Sequence, residues 1–158
     1  MYKIIALFLL SIFLLSCFEK NENGLALYQA IKDNEAEIKK FDGHSISYRG
    51  VFYVFDLDKA VYFVDDFTIN KEHQIKLVNS PKISKDKENE IYLLLEFVVK
   101  HKIVSAKSFD TAIEFRTRNG EISVYFKDLQ YMDKVKTWQK SFQKINQKWG
   151  YYSGDTLS

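Results

Sequence analysis

Apolar and polar residues recur along the chain with two periods, and the changes of period predict where helices and strands lie. From Leu25 to Phe41 the apolar positions fall at helical spacing, and Asn34 and Glu37 have the spacing of a capping box that restarts the helix. Gly43 ends this region, because glycine adopts positive φ without steric cost. The folded part of the chain is therefore predicted to begin with helical structure.

A period of two residues follows and predicts β-strands. Residues 44–66 are expected to form two strands, with Gly50 as a bulge and Asp56–Lys59 as the turn between them. Residues 67–78 are expected to form a second hairpin, and Pro81 closes the β region. The segments "GVFYVF" and "AVYFV" are apolar on both faces, which is typical of the buried middle of a sheet. The alternative is an exposed face or edge that recruits a partner.

The second half of the chain alternates again between the two periods. Ser84 is placed to cap a helix over residues 85–102, whose broad apolar face predicts a central, well-buried position. Asn119-Gly120 between two alternating runs is the signature of a type I′ hairpin. A last helix is predicted over residues 128–149, with Gly150 as its stop signal.

This order of elements is typical of an α+β fold, in which helices cover one face of an antiparallel sheet. We expect about six strands and about three helices in one small domain, since a chain of this length buries enough surface for a single core. The predicted organisation is a signal peptide, a tether that begins with an acylated cysteine, a globular domain and a C-terminal tail: residues 1–16, 17–24, 25–150 and 151–158.

The start of the chain has the three parts of a secretory signal peptide. Lys3 supplies positive charge, Ile4–Leu15 is an apolar run interrupted only by Ser11, and the small Ser16 precedes Cys17. The run is shorter than the roughly 20 residues that a membrane-spanning helix needs. "LLSC" resembles the lipobox of bacterial lipoproteins. The alternatives are an ordinary signal peptide and an uncleaved anchor.

The resemblance to lipoproteins covers residues 1–17 and implies a modification and a location. In that class the thiol that corresponds to Cys17 receives a diacylglyceryl group, the preceding peptide is cleaved, and the new amino group is often acylated. The expected partner is thus a membrane, bound through the N-terminal lipid, with the domain facing the periplasm or the cell exterior. Phe18 is not Asp, and by the sorting rule of enteric bacteria this favours the outer membrane over the inner cell membrane.

Composition excludes some functions. The chain has 23 Lys and Arg against 21 Asp and Glu, so a strongly basic face for nucleic acid is not expected. Cys17 is the only cysteine, and its acylation would leave no thiol for a disulfide, a zinc site or a nucleophile. The histidines His44, His73 and His101 lack the spacing of a metal site, so no metal and no cofactor is expected.

Aspartates that lie close together in sequence are the candidate catalytic groups. They flank predicted turns, where Asp is favoured for its local hydrogen bonds, and this explains them without catalysis. A hydrolase would instead require at least two of them to converge with a histidine in a pocket, with shifted pKa values. The candidates are Asp56, Asp58, Asp65, Asp66 and His44.

Four lysines spaced by four residues are the candidate contact surface. On the predicted last helix they would form one stripe opposite the apolar face, available to anionic lipid headgroups or to an acidic partner. A solvated helix face is the alternative. The lysines are Lys136, Lys140, Lys144 and Lys148.

The sequence favours a non-catalytic binding module over an enzyme. Such a module would hold another envelope protein or neutralise an incoming toxin, as small immunity lipoproteins do. Two alternatives stay open: a small envelope hydrolase that uses the Asp and His candidates, and a structural lipoprotein that stabilises the envelope. A hydrolase predicts a pocket with converging carboxylates, whereas a structural protein predicts no single high-affinity partner.

Overall fold

The computed structural model describes residues 23–65, 82–138 and 141–153. Within these ranges the chain forms four helices and eight strands. The helices are α1 (Asn23–Ile31), α2 (Glu35–Lys39), α3 (Lys85–Lys100) and α4 (Leu129–Trp138). The strands are β1 (Ser45–Tyr48), β2 (Phe52–Leu57), β3 (Ala60–Asp65), β4 (Ile103–Ser108), β5 (Ala112–Thr117), β6 (Glu121–Phe126), β7 (Gln143–Lys144) and β8 (Trp149–Ser153).

The strands form one antiparallel sheet in the order β3-β2-β1-β4-β5-β6-β8-β7. The predicted α+β class is confirmed, but the described sheet has eight strands rather than about six, with four helices rather than about three. One extra strand arises at Gly50, which has φ 88° and lies in the turn between β1 and β2 rather than in a bulge. There the Arg49 N–H donates to the Phe52 carbonyl over 2.9 Å.

The predicted last helix is wrong beyond Trp138. The side-chain oxygen of Asn146 accepts from the backbone N–H groups of Lys148 (2.8 Å) and Trp149 (3.0 Å), and these bonds hold the turn between β7 and β8. Gly150 therefore lies in a strand, where the ring of Phe142 occupies the space that a Cβ would need. The first three residues of the predicted tail, 151–153, belong to β8.

The inner face of the sheet packs on α1, α2 and α3. Alternate residues of β1–β6 point to this face, and the rings of Phe41, Phe97 and Phe115 meet there with centroids 5.3–6.2 Å apart. Helix α3 is central, as its apolar face predicted, and the Ser84 hydroxyl caps it by accepting from the Lys87 N–H over 3.3 Å. Asn34 occupies the N-cap of α2, but its side chain makes no capping bond.

A second, smaller core lies on the outer face at β5, β6 and β8. Helix α4 covers it with Met132 and Val135, which pack near Val124, Phe126 and Tyr152. On β2 and β3 the buried side chains are those of the inner face, so these strands are buried on one face and half-buried or exposed on the other. The predicted hairpin over residues 67–78 lies outside the described residues.

The type I′ turn that the sequence predicts at Asn119-Gly120 is found instead at the β2–β3 hairpin, for which a turn of no stated type was predicted. The I′ geometry needs positive φ at both central residues, and it occurs at Asp58 (φ 52°) and Lys59 (φ 66°) between β2 and β3. At Asn119-Gly120 only the glycine has positive φ (81°), and its N–H donates to the Thr117 carbonyl over 3.1 Å. This is a type I turn followed by a left-handed glycine, so the hairpin is confirmed and its I′ turn is wrong.

The antiparallel register gathers the connections at two opposite ends of the sheet. We call one the basal end; it consists of the β1–β2 turn, the α3–β4 turn and the β5–β6 turn, at residues 49–51, 101–102 and 118–120. We call the other the apical end; it consists of the α2–β1, β2–β3 and β4–β5 connections, at residues 40–44, 58–59 and 109–111. Each end carries its own set of charged side chains.

Candidate functional site

The candidate catalytic aspartates do not converge. Asp56 lies on β2 opposite Ser45 and Val61, and Asp65 lies at the end of β3 opposite Phe52. Four residues of strand separate their positions, which is about 13 Å at strand spacing. Asp66 lies outside the described residues. The structure therefore brings neither Asp56 nor Asp65 to a shared site with the other described candidates.

Asp58 and His44 do share a polar cluster at the apical end, which we call the Lys87 cluster. The Lys87 ammonium bonds to Asp58 and, over 2.6 Å, to Glu90 Oε2, while His44 Nε2 lies 3.2 Å from Glu90 Oε1. Hydrogen bonding to Lys87 lowers the pKa of Asp58, and the same bond raises the pKa of Lys87. A low pKa keeps the carboxylate charged, the reverse of what a general acid requires.

A serine and a lysine meet in a second apical cluster, which the sequence gave no means of finding. Ser108 Oγ donates to Asp42 over 3.1 Å and accepts from the Gly43 N–H over 3.0 Å. The Lys127 ammonium donates to the same Asp42 oxygen over 2.6 Å and lowers the pKa of that carboxyl. A serine nucleophile needs a base that accepts its proton, and this proton instead points at an ion-paired carboxylate.

Glu35 is the centre of a third apical cluster. Its Oε1 accepts from Lys148, Lys39 and the Tyr125 hydroxyl, each over 2.9 Å. The bonds to Lys148, Lys39 and Tyr125, in that order, lower the pKa of Glu35 to about 2. Burial and the bond to Glu35 raise the pKa of Tyr125. The cluster joins α2 to β6 and to the β7–β8 turn.

The predicted lysine stripe does not exist as a helix face. Lys136 lies in α4, but Lys144 lies in β7, and Lys148 lies in the turn that pairs with Glu35. Lys140 lies outside the described residues. The helical spacing of these lysines is therefore a coincidence of sequence at Lys144 and Lys148, because Lys144 lies in a strand and Lys148 in the turn that follows it.

The basal end contains a cleft of about 410 Å³, which we call the basal cleft. One wall is α1 from Ala26 to Ala30, and the others are the α3–β4 turn and the β5–β6 hairpin. Its lining residues are Ala26, Leu27, Ala30, His101, Lys102, Thr117, Arg118, Asn119 and Glu121. The three segments are distant in sequence, and the sheet register brings them together.

The cations around the basal cleft lack ion pairs. Lys102 and Arg118 are exposed among its lining residues. Arg49 lies in the β1–β2 turn of the same end, and Lys100 is the last residue of α3, where it lines a separate cleft with Glu37 and Glu96. Within residues 23–65, 82–138 and 141–153, none of these four side chains lies within 4 Å of a carboxylate. The Arg118 guanidinium lies 5.9 Å from the centroid of the Tyr48 ring. Glu121 and Asp65 are the carboxylates described at this end.

Two buried polar atoms of cleft residues have unused hydrogen-bonding capacity. His101 Nε2 and Glu121 Oε2 have no hydrogen-bond partner among the described residues. Burial, followed by the nearby charge of Lys100, lowers the pKa of His101, which favours its neutral imidazole. The hydroxyl among the lining residues, on Thr117, donates to the Glu121 carbonyl over 3.5 Å. The cleft is thus equipped to bind a polar ligand, and its lining residues pair no nucleophile with a base.

Lys102, at the edge of the basal cleft, has an uncommon backbone conformation for a lysine. Lys102 follows the C-cap of α3 and has φ 55°, a left-handed conformation that glycine ordinarily supplies at this position. The conformation directs a lysine, rather than a glycine, to the edge of the cleft.

No family model, curated protein or solved structure matches the chain. Of the helices in the described ranges, none has the length and apolar character needed to cross a membrane. Across the same residues, no group of three or more His, Cys, Asp and Glu side chains is placed to hold a metal ion.

Sequence reasoning missed the basal cleft, because its signals are spread over three segments. His101 was visible only as a helix-end histidine, and Arg118 and Asn119 only as hairpin residues. A usable signal was the lysine directly after α3, where a glycine is expected.

Proposed function

We propose that this protein is an envelope lipoprotein, anchored in the cell membrane or outer membrane through Cys17. Its domain acts as a non-catalytic binding module, with the basal cleft as its binding site. Support for the anchor comes from the "LLSC" lipobox at the end of an apolar run. More than one acyl chain on Cys17 fits the requirement for stable membrane attachment.

One observation carries the binding role: the basal cleft combines unpaired cations with two buried polar atoms that have no partner. Buried polar groups are nearly always hydrogen-bonded in folded proteins, so a polar ligand at the cleft would give His101 Nε2 and Glu121 Oε2 the partners that the described residues do not supply. The apical His44 Nδ1 is buried without a partner as well, so it is the cations that distinguish the two ends: the apical lysines pair with Asp58, Asp42 and Glu35, whereas Lys102 and Arg118 have no ion pair among the described residues.

The hydrolase alternative has less support. It requires two of the candidate aspartates in one pocket with a carboxyl pKa raised toward neutrality, whereas Asp58 has a lowered pKa and Asp56 and Asp65 lie apart. The structural alternative requires no ligand site, and the unfilled hydrogen-bonding capacity of the basal cleft argues for the binding module instead.

The test is photo-crosslinking in cells that produce the acylated protein. Benzoylphenylalanine replaces Asn119 at the basal cleft, and as a matched control it replaces Asp110, an exposed turn residue at the apical end. We expect a dominant adduct from position 119 that position 110 does not give. Equal adduct patterns at the two positions would contradict a binding site at the cleft.

The anchor is tested separately through Cys17→Ala. This substitution is expected to move the protein out of the membrane fraction or to leave it unprocessed, and intact-mass analysis reads the missing acyl groups. Unchanged mass and membrane association would refute the lipoprotein proposal.

A further inference from the structure

We infer that the basal cleft binds the anionic headgroups of the bilayer that holds the lipid anchor, so that the domain lies with its basal end on the membrane. The inference rests on the proposed acylation of Cys17. It names a ligand class, a phosphate-bearing lipid headgroup that also carries hydroxyl groups.

Chain length limits how far the domain can stand from the membrane. Six residue steps separate Cys17 from Asn23, the first residue of α1, and at full extension they span at most about 22 Å. Ala26, one turn further along α1, already lines the basal cleft. A bilayer that holds the acyl groups of Cys17 is therefore within about 22 Å of the start of α1, which is one helical turn from the basal cleft.

The charge of the basal end complements an anionic surface. Lys102, Arg118 and Arg49 carry three positive charges at this end, and Lys100 adds a fourth with Glu96 one helical turn away; the other carboxylates described here are Glu121 and Asp65. None of the four cations forms an ion pair with another described residue. Arginine and lysine are the usual ligands of phosphate groups, Arg through two parallel bonds and Lys as a point charge. The geometry thus provides positive charge where the anchor places phosphates.

The walls of the cleft fit the remaining atoms of such a headgroup. His101 and Glu121 line the cleft, and each has one polar atom without a partner among the described residues: His101 Nε2, a donor in its Nε2–H tautomer, and Glu121 Oε2, an acceptor. Both atoms are buried, so a headgroup phosphate or hydroxyl reaches them only after the two side chains rotate toward the cleft. The cleft volume of about 410 Å³ lies within the range of roughly 300–1,000 Å³ that is typical of small-ligand pockets. A glycerol-phosphate headgroup supplies both kinds of atom.

The test uses the acylated protein in vesicles and reads the distance of each end from the bilayer. Acylation leaves no free thiol in the native chain, so an introduced cysteine takes a fluorophore at a single position. Val51→Cys labels the basal end, where Val51 is 70% exposed, and Asp110→Cys labels the apical end. A spin-labelled lipid headgroup serves as the quencher.

In vesicles of phosphatidylcholine and phosphatidylglycerol we expect strong quenching at position 51 and weak quenching at position 110. In phosphatidylcholine alone, or at high salt, quenching at position 51 falls toward the value at 110, because headgroup charge is absent or screened. Equal quenching at both positions in the anionic vesicles would overturn the inference.

Reversing the charge of two cleft residues tests whether they bind the headgroups. Each cation near an anionic surface is worth about a fivefold change in binding constant, so Lys102→Glu with Arg118→Glu lowers docking by at least about 25-fold. The matched control, Lys59→Glu with Lys85→Glu, changes net charge equally at the apical end and leaves quenching at position 51 unchanged. Lys102→Gln with Arg118→Gln provides a milder variant if the reversed pair unfolds.

Failure of this inference differs from failure of the proposed function. Suppose that the acylated protein shows no quenching at position 51 and that position 119 gives a protein adduct in cells. The binding module is then supported, and the inference that its ligand is a lipid headgroup is overturned. A lipid adduct at position 119 supports the headgroup. Protein that carries no acyl group by mass removes the anchor on which both rest.

Discussion

The apical and basal ends of the same sheet use charged residues in opposite ways. The ion pairs between two described residues are all at the apical end, where Lys39, Lys87, Lys127 and Lys148 each contact a carboxylate. At the basal end four cations, two of them lining the cleft, have no ion pair within the same residues. The two ends therefore differ in whether a carboxylate stands next to each cation.

Placement decides whether a charge serves the fold or a ligand. An apical lysine joins segments that are far apart in sequence, as Lys127 does with Asp42 and Lys148 with Glu35. Exposed pairs of this kind contribute about 0–1 kcal/mol each. The four basal cations have no ion pair among the described residues, although Arg118 lies over the Tyr48 ring, and the proposed anionic headgroups would balance their charge.

Acid is expected to destabilise the apical end before the basal end, and we expect this to be the largest difference between them. The pKa values of Asp42, Asp58 and Glu35 are lowered from 3.8, 3.8 and 4.5, that of Glu35 to about 2. A lowered pKa stabilises the fold above the ordinary value of the group and loses that stabilisation as pH falls toward the folded value. The contribution of these three carboxylates to the stability of the apical end is therefore expected to be fully present above about pH 5 and to be lost between about pH 4.5 and pH 2.

Native-state hydrogen exchange measures this effect at single amides. The Ser108 N–H, which donates to the His44 carbonyl at the apical end, should lose protection in acid before the Arg49 N–H, which donates to Phe52 at the basal end. Loss of protection at both amides over the same pH range would contradict the difference between the ends.

Removing one cation from each end sharpens the comparison. Lys87→Gln takes away the partner of Asp58 and Glu90 and is expected to lower the free energy of unfolding by about 1 kcal/mol. Arg49→Gln removes a basal cation without an ion pair and should change it by less than about 0.5 kcal/mol. Urea unfolding of both variants gives the two values, and equal losses would refute the assignment.

The smallest effect is a gain in stability. Lys102→Gly removes the conformational strain of a side-chain-bearing residue at φ 55°, and it should raise the free energy of unfolding by about 0.5–1 kcal/mol. Lys100→Gly, two residues earlier and inside α3, should lower it by about 1 kcal/mol. The same Lys102→Gly variant should weaken docking on anionic vesicles, so that stability and binding move in opposite directions.

The elements that local chemistry specifies were predicted from sequence, and those that depend on distant contacts were not. Helix α3 has both a capping serine and a continuous apolar face, and it lies where the pattern placed it. The segment after Trp138 shows how periodicity misleads. Phe142, Ile145 and Trp149 are spaced as in a helix. In the structure they lie just before β7, in the β7–β8 turn and in β8, because β8 pairs with β6 and β7 pairs with β8.

The candidate site was less predictable than the fold. The Asp and His candidates were chosen for closeness in sequence, and the sheet separates Asp56 from Asp65 while joining Asp58 to His44 through Lys87 and Glu90. The basal cleft has no motif, because each of its three walls supplies only a few residues. A site of this kind exists only after the strands have paired.

The first helix and the last strand complete one part of the core together. The Tyr28 ring of α1 packs edge-on against Trp149 of β8 at 5.5 Å, and Trp149 also packs against Tyr125 of β6 at 5.4 Å. This wall of the core cannot close until almost the entire chain is available, since contacts so distant in sequence form late and slowly. If the chain is exported as proposed, its dependence on β8 would keep this wall of the core open during passage through a membrane channel, until that strand has arrived.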